Sequence, residues 1–109
     1  MKKVYNKLVR DKIPEIIEQS GKLCEISILS DEEYLTALDK KLNEELQEFR
    51  QSGEIEELAD ILEVAYAIAQ AKGYSIERLQ SLREEKKTAR GAFDKKLFLK
   101  WVKENKIDK

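Results

Sequence analysis

The sequence predicts a mainly α protein, a bundle centred on a helical hairpin and completed by oligomerisation, with one or two short accessory β-strands. Three observations lead to this fold class. Each of the four glycines falls where a helix should stop or turn. Ahead of Gly53, Leu35, Leu38 and Leu42 advance in steps of three and four, as on one face of a helix. After Gly53, residues 58–71 are apolar almost all round, which is unusual for a helix of so small a monomer.

Length and composition indicate a single domain over 1–109. Hydrophobic residues make up 41% of the chain, enough for a modest core. Charged residues make up 39% but leave a net charge of −1, which argues against stable binding of nucleic acid or of an anionic membrane. The lone cysteine, Cys24, excludes an internal disulfide and fits a reducing compartment. The N-terminus lacks a signal-peptide pattern and no apolar run has membrane-spanning length, so the expected location is cytoplasmic.

The first helix is expected after Asp11, which would serve as its N-cap, and it should run to Gly21. Pro14 then falls within the first turn, where its missing N–H is tolerated. Over residues 23–29 apolar and polar side chains alternate, so the period changes to that of a half-buried strand.

Ser30 and Glu33 form an S-x-x-E capping box at the start of a long helix over 31–50. A second long helix over 54–72 follows the tight turn at Gly53. Its apolar surface predicts packing against the same helix of a second chain, in a homodimer or tetramer with a four-helix core.

Ser75 is the expected N-cap of a further helix that ends at Gly91. Residues 97–102 are apolar apart from Lys100. They could form a strand beside 23–29 or a last helix, and periodicity does not decide between the two in so short a run.

Four acidic residues stand out on the hairpin: Glu45 and Glu48 before the turn, Glu57 and Asp60 after it. Each pair is spaced i, i+3, so its two carboxylates share one helical face. An antiparallel hairpin would also set Glu48 level with Glu57 and Glu45 level with Asp60. Four carboxylates would then meet between apolar helices, where isolated charge is unfavourable. The alternative is exposed acids in ordinary ion pairs with lysines, but the symmetry and the apolar surroundings favour a metal site.

The residue types restrict the metal and indicate a substrate class. Since the chain has no histidine, the ligands would be oxygen atoms, which suit Mg²⁺, Mn²⁺ or Ca²⁺ and not zinc. Basic clusters flank the hairpin in sequence. Beside a carboxylate metal site they indicate a polyphosphate substrate, because Mg²⁺ bridges phosphate oxygens while Lys and Arg neutralise the remaining charge. The clusters are Lys7, Arg10 and Lys12, and Lys86, Lys87, Arg90, Lys95 and Lys96.

These residues give the chain a family resemblance. Glu44–Glu45–x–x–Glu48 followed by Glu57–x–x–Asp60 resembles the signature of the all-α nucleoside triphosphate pyrophosphohydrolases. These are the MazG-like proteins, related to phosphoribosyl-ATP pyrophosphohydrolase and the dimeric dUTPases. The opening YNKLVRDKIPEII and the segment KKTARGAFDKKLFL resemble a small, single-domain branch of that superfamily that removes unwanted nucleotides. The resemblance covers nearly the whole chain. The eight-residue spacer between Glu48 and Glu57 is shorter than in many relatives and favours a simple hairpin.

The resemblance implies Mg²⁺-dependent cleavage of a nucleoside triphosphate (NTP), a damaged or non-standard one, into the monophosphate and pyrophosphate. Mn²⁺ is the alternative metal. By analogy, the metal ligands and catalytic residues would be Glu45, Glu48, Glu57 and Asp60, with Glu48 as a candidate general base. The expected phosphate contacts are Lys86, Arg90 and Lys96, with Arg10 and Lys12 behind them.

Three other functions compete with this one. A phosphoribosyl-ATP pyrophosphohydrolase would share the metal site but need a different pocket for base and sugar. A catalytically silent helical module would bind or sense nucleotides, although a complete set of four acids is then hard to explain. A nucleic-acid-binding protein would use the basic residues at 86–96, and the near-zero net charge argues against it.

Overall fold

The structure, a computed structural model, describes residues 1–104. Four helices follow one another along the chain: α1 Ile13–Gln19, α2 Asp31–Ser52, α3 Ile55–Ala71 and α4 Ile76–Arg90. α2 packs along α3, and α3 contacts α4. Within the described part of the chain there is no β-strand. The mainly α prediction is therefore confirmed.

The hairpin of α2 and α3 forms where the sequence predicts it. The Ser30 hydroxyl accepts a hydrogen bond from the Glu33 backbone N–H at 3.2 Å, and the Glu33 carboxylate accepts one from the Ser30 N–H at 3.1 Å. This reciprocal pair fixes the start of α2. At its end Gly53 has φ +68°, a left-handed conformation that glycine adopts without strain, and its N–H donates to the Phe49 carbonyl at 2.8 Å. The chain then reverses directly into α3.

The other two helices confirm the expected elements, with one correction. Lys12 and not Asp11 holds the N-cap position of α1, and no side chain caps this end. The Ile13 N–H instead donates to the Arg10 carbonyl at 3.0 Å, so a backbone turn does what the aspartate was expected to do. Pro14 lies in the first turn as predicted.

The start and the end of α4 follow the sequence. The Ser75 hydroxyl accepts from the Arg78 N–H at 3.0 Å and so caps the helix, as predicted. The Gly91 N–H donates to the Lys87 carbonyl at 2.8 Å at its other end.

The residues predicted to form an accessory strand, 23–29, have no strand structure, and 97–102 form neither a strand nor a helix. A strand is held by hydrogen bonds to a neighbouring strand, and neither segment has such a neighbour within residues 1–104. Both segments carry exposed apolar side chains, among them Leu23, Ile28 and Leu97. Alternation and apolarity were correctly noted in the sequence, but they do not create a strand without a partner.

The single chain has a very small core. Among the described residues the buried apolar side chains are Leu38 on α2 and Val64 on α3, at 2% and 8% exposure. Ile55, Leu58 and Leu62 on α3 stay open to solvent. The Cα radius of gyration is 20.2 Å, against about 13 Å for a compact domain of this length. The chain is therefore an extended arrangement of helices around one packed hairpin. No helix of the described residues is long and apolar enough to cross a lipid bilayer.

Candidate metal centre

Three carboxylates from the two hairpin helices converge. Glu45 lies on α2, while Glu57 and Asp60 lie one turn apart near the start of α3. One carboxylate oxygen from each lies within 4.8 Å of the others. Glu45 occupies a position in the apolar stripe of α2, so the packing that buries Leu38 also turns Glu45 towards α3. Both acids on α3 are half-buried.

Glu45 is the most buried of the three acids. The residue is only 5% exposed. Its Oε1 pairs with the Lys41 ammonium at 3.2 Å, but its buried Oε2 has no hydrogen-bond partner in the described chain. Burial raises the pKa of the Glu45 carboxyl, Lys41 opposes that rise, and the neighbouring Glu48 carboxylate adds to it. A buried carboxylate oxygen without a donor is the kind of atom that a bound cation stabilises.

Glu48 does not join this group. Within residues 1–104 the cluster with ligand-like spacing consists of the other three predicted acids, and Glu48 is not among them. It lies half-buried one turn beyond Glu45 and acts on it through its negative charge. The structure thus brings together three of the four acids expected to meet.

Lysine and arginine side chains balance part of the negative charge. The Arg10 guanidinium Nη2 lies 2.5 Å from Asp60 Oδ1. The Glu44 Oε1 atom forms ion pairs with the Lys7 Nζ at 2.9 Å and with the Lys41 Nζ at 3.4 Å. Burial alone would raise the pKa of Glu44, but these two ammonium groups outweigh it and the pKa lies below its usual range. The hydrogen bond to Glu44 in turn raises the pKa of Lys7.

Two of the four acids thus form ion pairs of the kind that the alternative interpretation expected, Glu45 with Lys41 and Asp60 with Arg10, whereas the second oxygen of Glu45 has no partner in the described chain. Sequence reasoning overlooked Lys41 as a neighbour of the site. The signal was available, because Lys41 precedes Glu44 by three residues and Glu45 by four, the two spacings at which helical side chains meet.

The basic residues after the hairpin lie apart from the acids. Lys86 and Arg90 are exposed near the end of α4, and Lys96 follows in the next turn with φ +59°. Arg90 and Lys96 line one concavity together with Phe93. In the described chain no ion pair links these cations to the acids of the hairpin. Of the predicted phosphate contacts, Arg10 alone touches the acid cluster.

The donor set fits a hard divalent cation. All three groups offer carboxylate oxygens, one of them buried and without a partner, on two helices whose relative position the packed hairpin holds. Mg²⁺ and Mn²⁺ take such ligands, and Mg²⁺ usually keeps several coordination positions for water or phosphate oxygens. Three protein oxygens leave room for those ligands.

Comparison with known proteins adds one partial similarity. An uncharacterised protein of Mycolicibacterium smegmatis is 58% identical to this chain over 43 residues. The match covers 39% of this chain and 44% of the relative, so the chain spans less than half of the relative's length. No protein-family model and no solved structure matches the chain.

Proposed function

We propose that this protein is a Mg²⁺-dependent pyrophosphohydrolase that cleaves a damaged or non-standard NTP into the monophosphate and pyrophosphate in the cytoplasm. One observation carries the proposal: Glu45, which has a buried, unpartnered oxygen, clusters with the carboxylates of Glu57 and Asp60. The sequence resemblance to the all-α pyrophosphohydrolases, which includes these acids and two further segments of the chain, also supports it.

In this proposal Glu45, Glu57 and Asp60 hold the ion. Once bound, the ion would neutralise charge on the polyphosphate and lower the pKa of the attacking water. Glu48 is half-buried beside Glu45 and outside the cluster, a position that suits it to accept the proton of that water. The water oxygen then bonds to phosphorus as the anhydride between the α- and β-phosphates breaks, and pyrophosphate leaves.

The basic residues would bind the phosphates that the metal leaves uncompensated. Arg10 is already at the acid cluster. Lys12, Lys86, Arg90 and Lys96 are exposed and have no acidic partner within residues 1–104, so their charge is available to a ligand. Guanidinium and ammonium groups are well suited to phosphate oxygens.

The active form would be a homodimer or tetramer assembled through the helix at 54–72. Leu62 is 52% exposed and Ile55 71% exposed on this helix. A four-helix core would remove these side chains from water, which is favourable at about 25 cal/mol per Å². The apolar segments 23–29 and 97–102 would find strand partners only in such an assembly.

The direct test measures pyrophosphate release from standard and damaged NTPs and phosphoribosyl-ATP, with and without Mg²⁺. We expect Mg²⁺-dependent release from a subset of the NTPs. Glu45→Gln and Asp60→Asn should each lower kcat at least about 100-fold, because each removes a ligand charge. Glu56→Gln is the matched control, since Glu56 is an exposed acid of the same turn as Glu57 and does not belong to the cluster.

Turnover of phosphoribosyl-ATP alone would replace the proposed substrate class. Full activity of Glu45→Gln would refute the metal site. Absence of turnover on every compound, with Mg²⁺ binding intact, would instead identify a binding module.

A further inference from the structure

The N-terminal segment is bound across the acidic hairpin by two ion pairs. We call residues 5–12 the N-terminal clasp. Lys7 contacts Glu44 on α2 at 2.9 Å, and Arg10 contacts Asp60 on α3 at 2.5 Å. The segment thus reaches both helices of the hairpin at the level of the acid cluster, although it precedes them in sequence.

The two ion pairs differ in what they occupy. Glu44 lies outside the three-carboxylate cluster, so the Lys7 contact does not use a candidate metal ligand. Asp60 belongs to the cluster, and Arg10 takes up its Oδ1. One contact is therefore compatible with a bound cation, while the other places a positive charge on a ligand.

A divalent cation and Arg10 would repel each other strongly at Asp60. An ion about 2.1 Å from an oxygen of this carboxylate would lie within a few ångströms of the guanidinium. Repulsion between charges of +2 and +1 at that separation exceeds what an ion pair open to solvent contributes, and the side chains of Arg10 and Asp60 are 56% and 36% exposed. The cation should therefore displace Arg10 from Asp60.

We propose that Arg10 is a metal-displaced latch, meaning a side chain that holds Asp60 until a metal ion displaces it. This proposal rests on the metal site proposed above. The Arg10 guanidinium neutralises Asp60 until a divalent cation binds Glu45, Glu57 and Asp60, and it is then released while Lys7 keeps the clasp attached to Glu44. The freed guanidinium remains close to the ion and is available to a phosphate of the substrate. Metal occupancy thereby switches Arg10 from a carboxylate to a phosphate partner.

The test compares Mn²⁺ binding to the wild-type chain, Arg10→Ala and Arg78→Ala after chelator treatment, with free Mn²⁺ measured by electron paramagnetic resonance. Arg78 is a matched control because its removal changes net charge equally. Arg78 lies on α4, which follows the C-terminal end of α3. That end of α3 is roughly 16 Å along the helix from Asp60. We expect Arg10→Ala to bind Mn²⁺ roughly two- to fivefold more tightly than the wild type, since one exposed ion pair no longer competes. The control should bind like the wild type.

A second measurement follows the clasp itself. ¹⁵N relaxation of the backbone amides of residues 5–12 should report greater mobility around Arg10 in the wild type when Mg²⁺ saturates the site. Tighter binding by Arg10→Ala without this increase would show only the loss of a nearby charge and would overturn the latch. Equal or weaker Mn²⁺ binding by Arg10→Ala would also overturn the latch, but it would leave the metal site in place. Weaker binding would in addition identify Arg10 as a residue that positions Asp60. Failure of both the wild type and Arg10→Ala to bind metal would overturn the metal site and the latch together.

Discussion

At the scale of single residues, Glu45 combines two properties that rarely coexist. It is as buried as the apolar core residues, yet one of its oxygens has no donor among the described residues. Without a bound cation the charged form of this side chain should therefore destabilise the fold.

We expect Glu45→Gln to stabilise the metal-free protein by about 1 kcal/mol at neutral pH. Burial raises the pKa of Glu45 above its ordinary value of 4.5. Below that ordinary value the carboxyl is neutral in both the folded and the unfolded chain and destabilises neither. As pH rises from that ordinary value to the raised pKa, the unfolded chain has already released the proton that the folded chain still holds, so the wild type loses stability, whereas the glutamine variant does not.

Urea unfolding in the presence of chelator, at pH 4 and at pH 7.5, measures this difference. Glu44→Gln is a suitable control, because the pKa of Glu44 is lowered by its lysine partners and its neutralisation should destabilise the protein at pH 7.5. If the stability difference between the wild type and Glu45→Gln does not change with pH, the charged form of Glu45 does not destabilise the fold and this prediction is wrong.

At the scale of secondary structure, local signals defined the helices well. The capping box and the left-handed glycine at the two ends of α2 were both evident in the sequence, because each depends on residues within three or four positions. The start of α1 was predicted one residue too early. There a backbone carbonyl replaced the side-chain cap, and no residue type signals that choice.

Ser30→Ala should lower the free energy of unfolding by about 1 kcal/mol, since the N–H of Glu33 loses its acceptor and the reciprocal bond loses its geometry. Ser30 also lowers the pKa of Glu33 in the intact box. The backbone N–H of residue 30 contributes most to this shift and is kept in the variant, and the bond from the Glu33 N–H to the hydroxyl does not titrate. Only the part of the difference that comes from the hydroxyl and the Glu33 carboxylate disappears as pH falls through the lowered pKa, so the variant should stay less stable than the wild type in acid, by a smaller margin.

Thermal unfolding across this pH range tests the prediction, with Ser27→Ala as the control in an exposed segment outside the helices. Equal destabilisation by both serine substitutions would mean that the cap does not hold α2.

At the scale of the whole molecule, sequence reasoning reached the mainly α fold and the meeting of Glu45 with Glu57 and Asp60. Both follow from helical periodicity and one tight turn. It did not exclude Glu48 from the cluster or place Arg10 on Asp60, because such contacts depend on the rotation of each helix and the path of a loop. Residues 23–29 were predicted as a strand from alternation alone, and pairing with a distant segment cannot be deduced from alternation.

We expect Leu62→Lys to shift the assembly towards monomer. Leu62 is half-exposed on the apolar helix that we propose as the interface, and a buried lysine there would be unpaired. Analytical ultracentrifugation at micromolar concentration should show a dimer or tetramer for the wild type and a smaller species for the variant. Val4→Lys, at an exposed apolar residue outside the four helices, is the control and should assemble like the wild type. A wild type that sediments as a monomer would refute the interface.

The extended outline of the chain, 77 × 32 × 21 Å, has a hydrodynamic consequence. A compact protein with the same radius of gyration of 20.2 Å would contain about 340 residues. A single copy with this outline would therefore leave a gel-filtration column earlier than a globular protein of the same mass. Elution volume alone would overestimate the mass of the monomer, and association that folds the exposed arms inward would add mass with a smaller change in elution volume. Light scattering, which reports mass independently of shape, separates these cases.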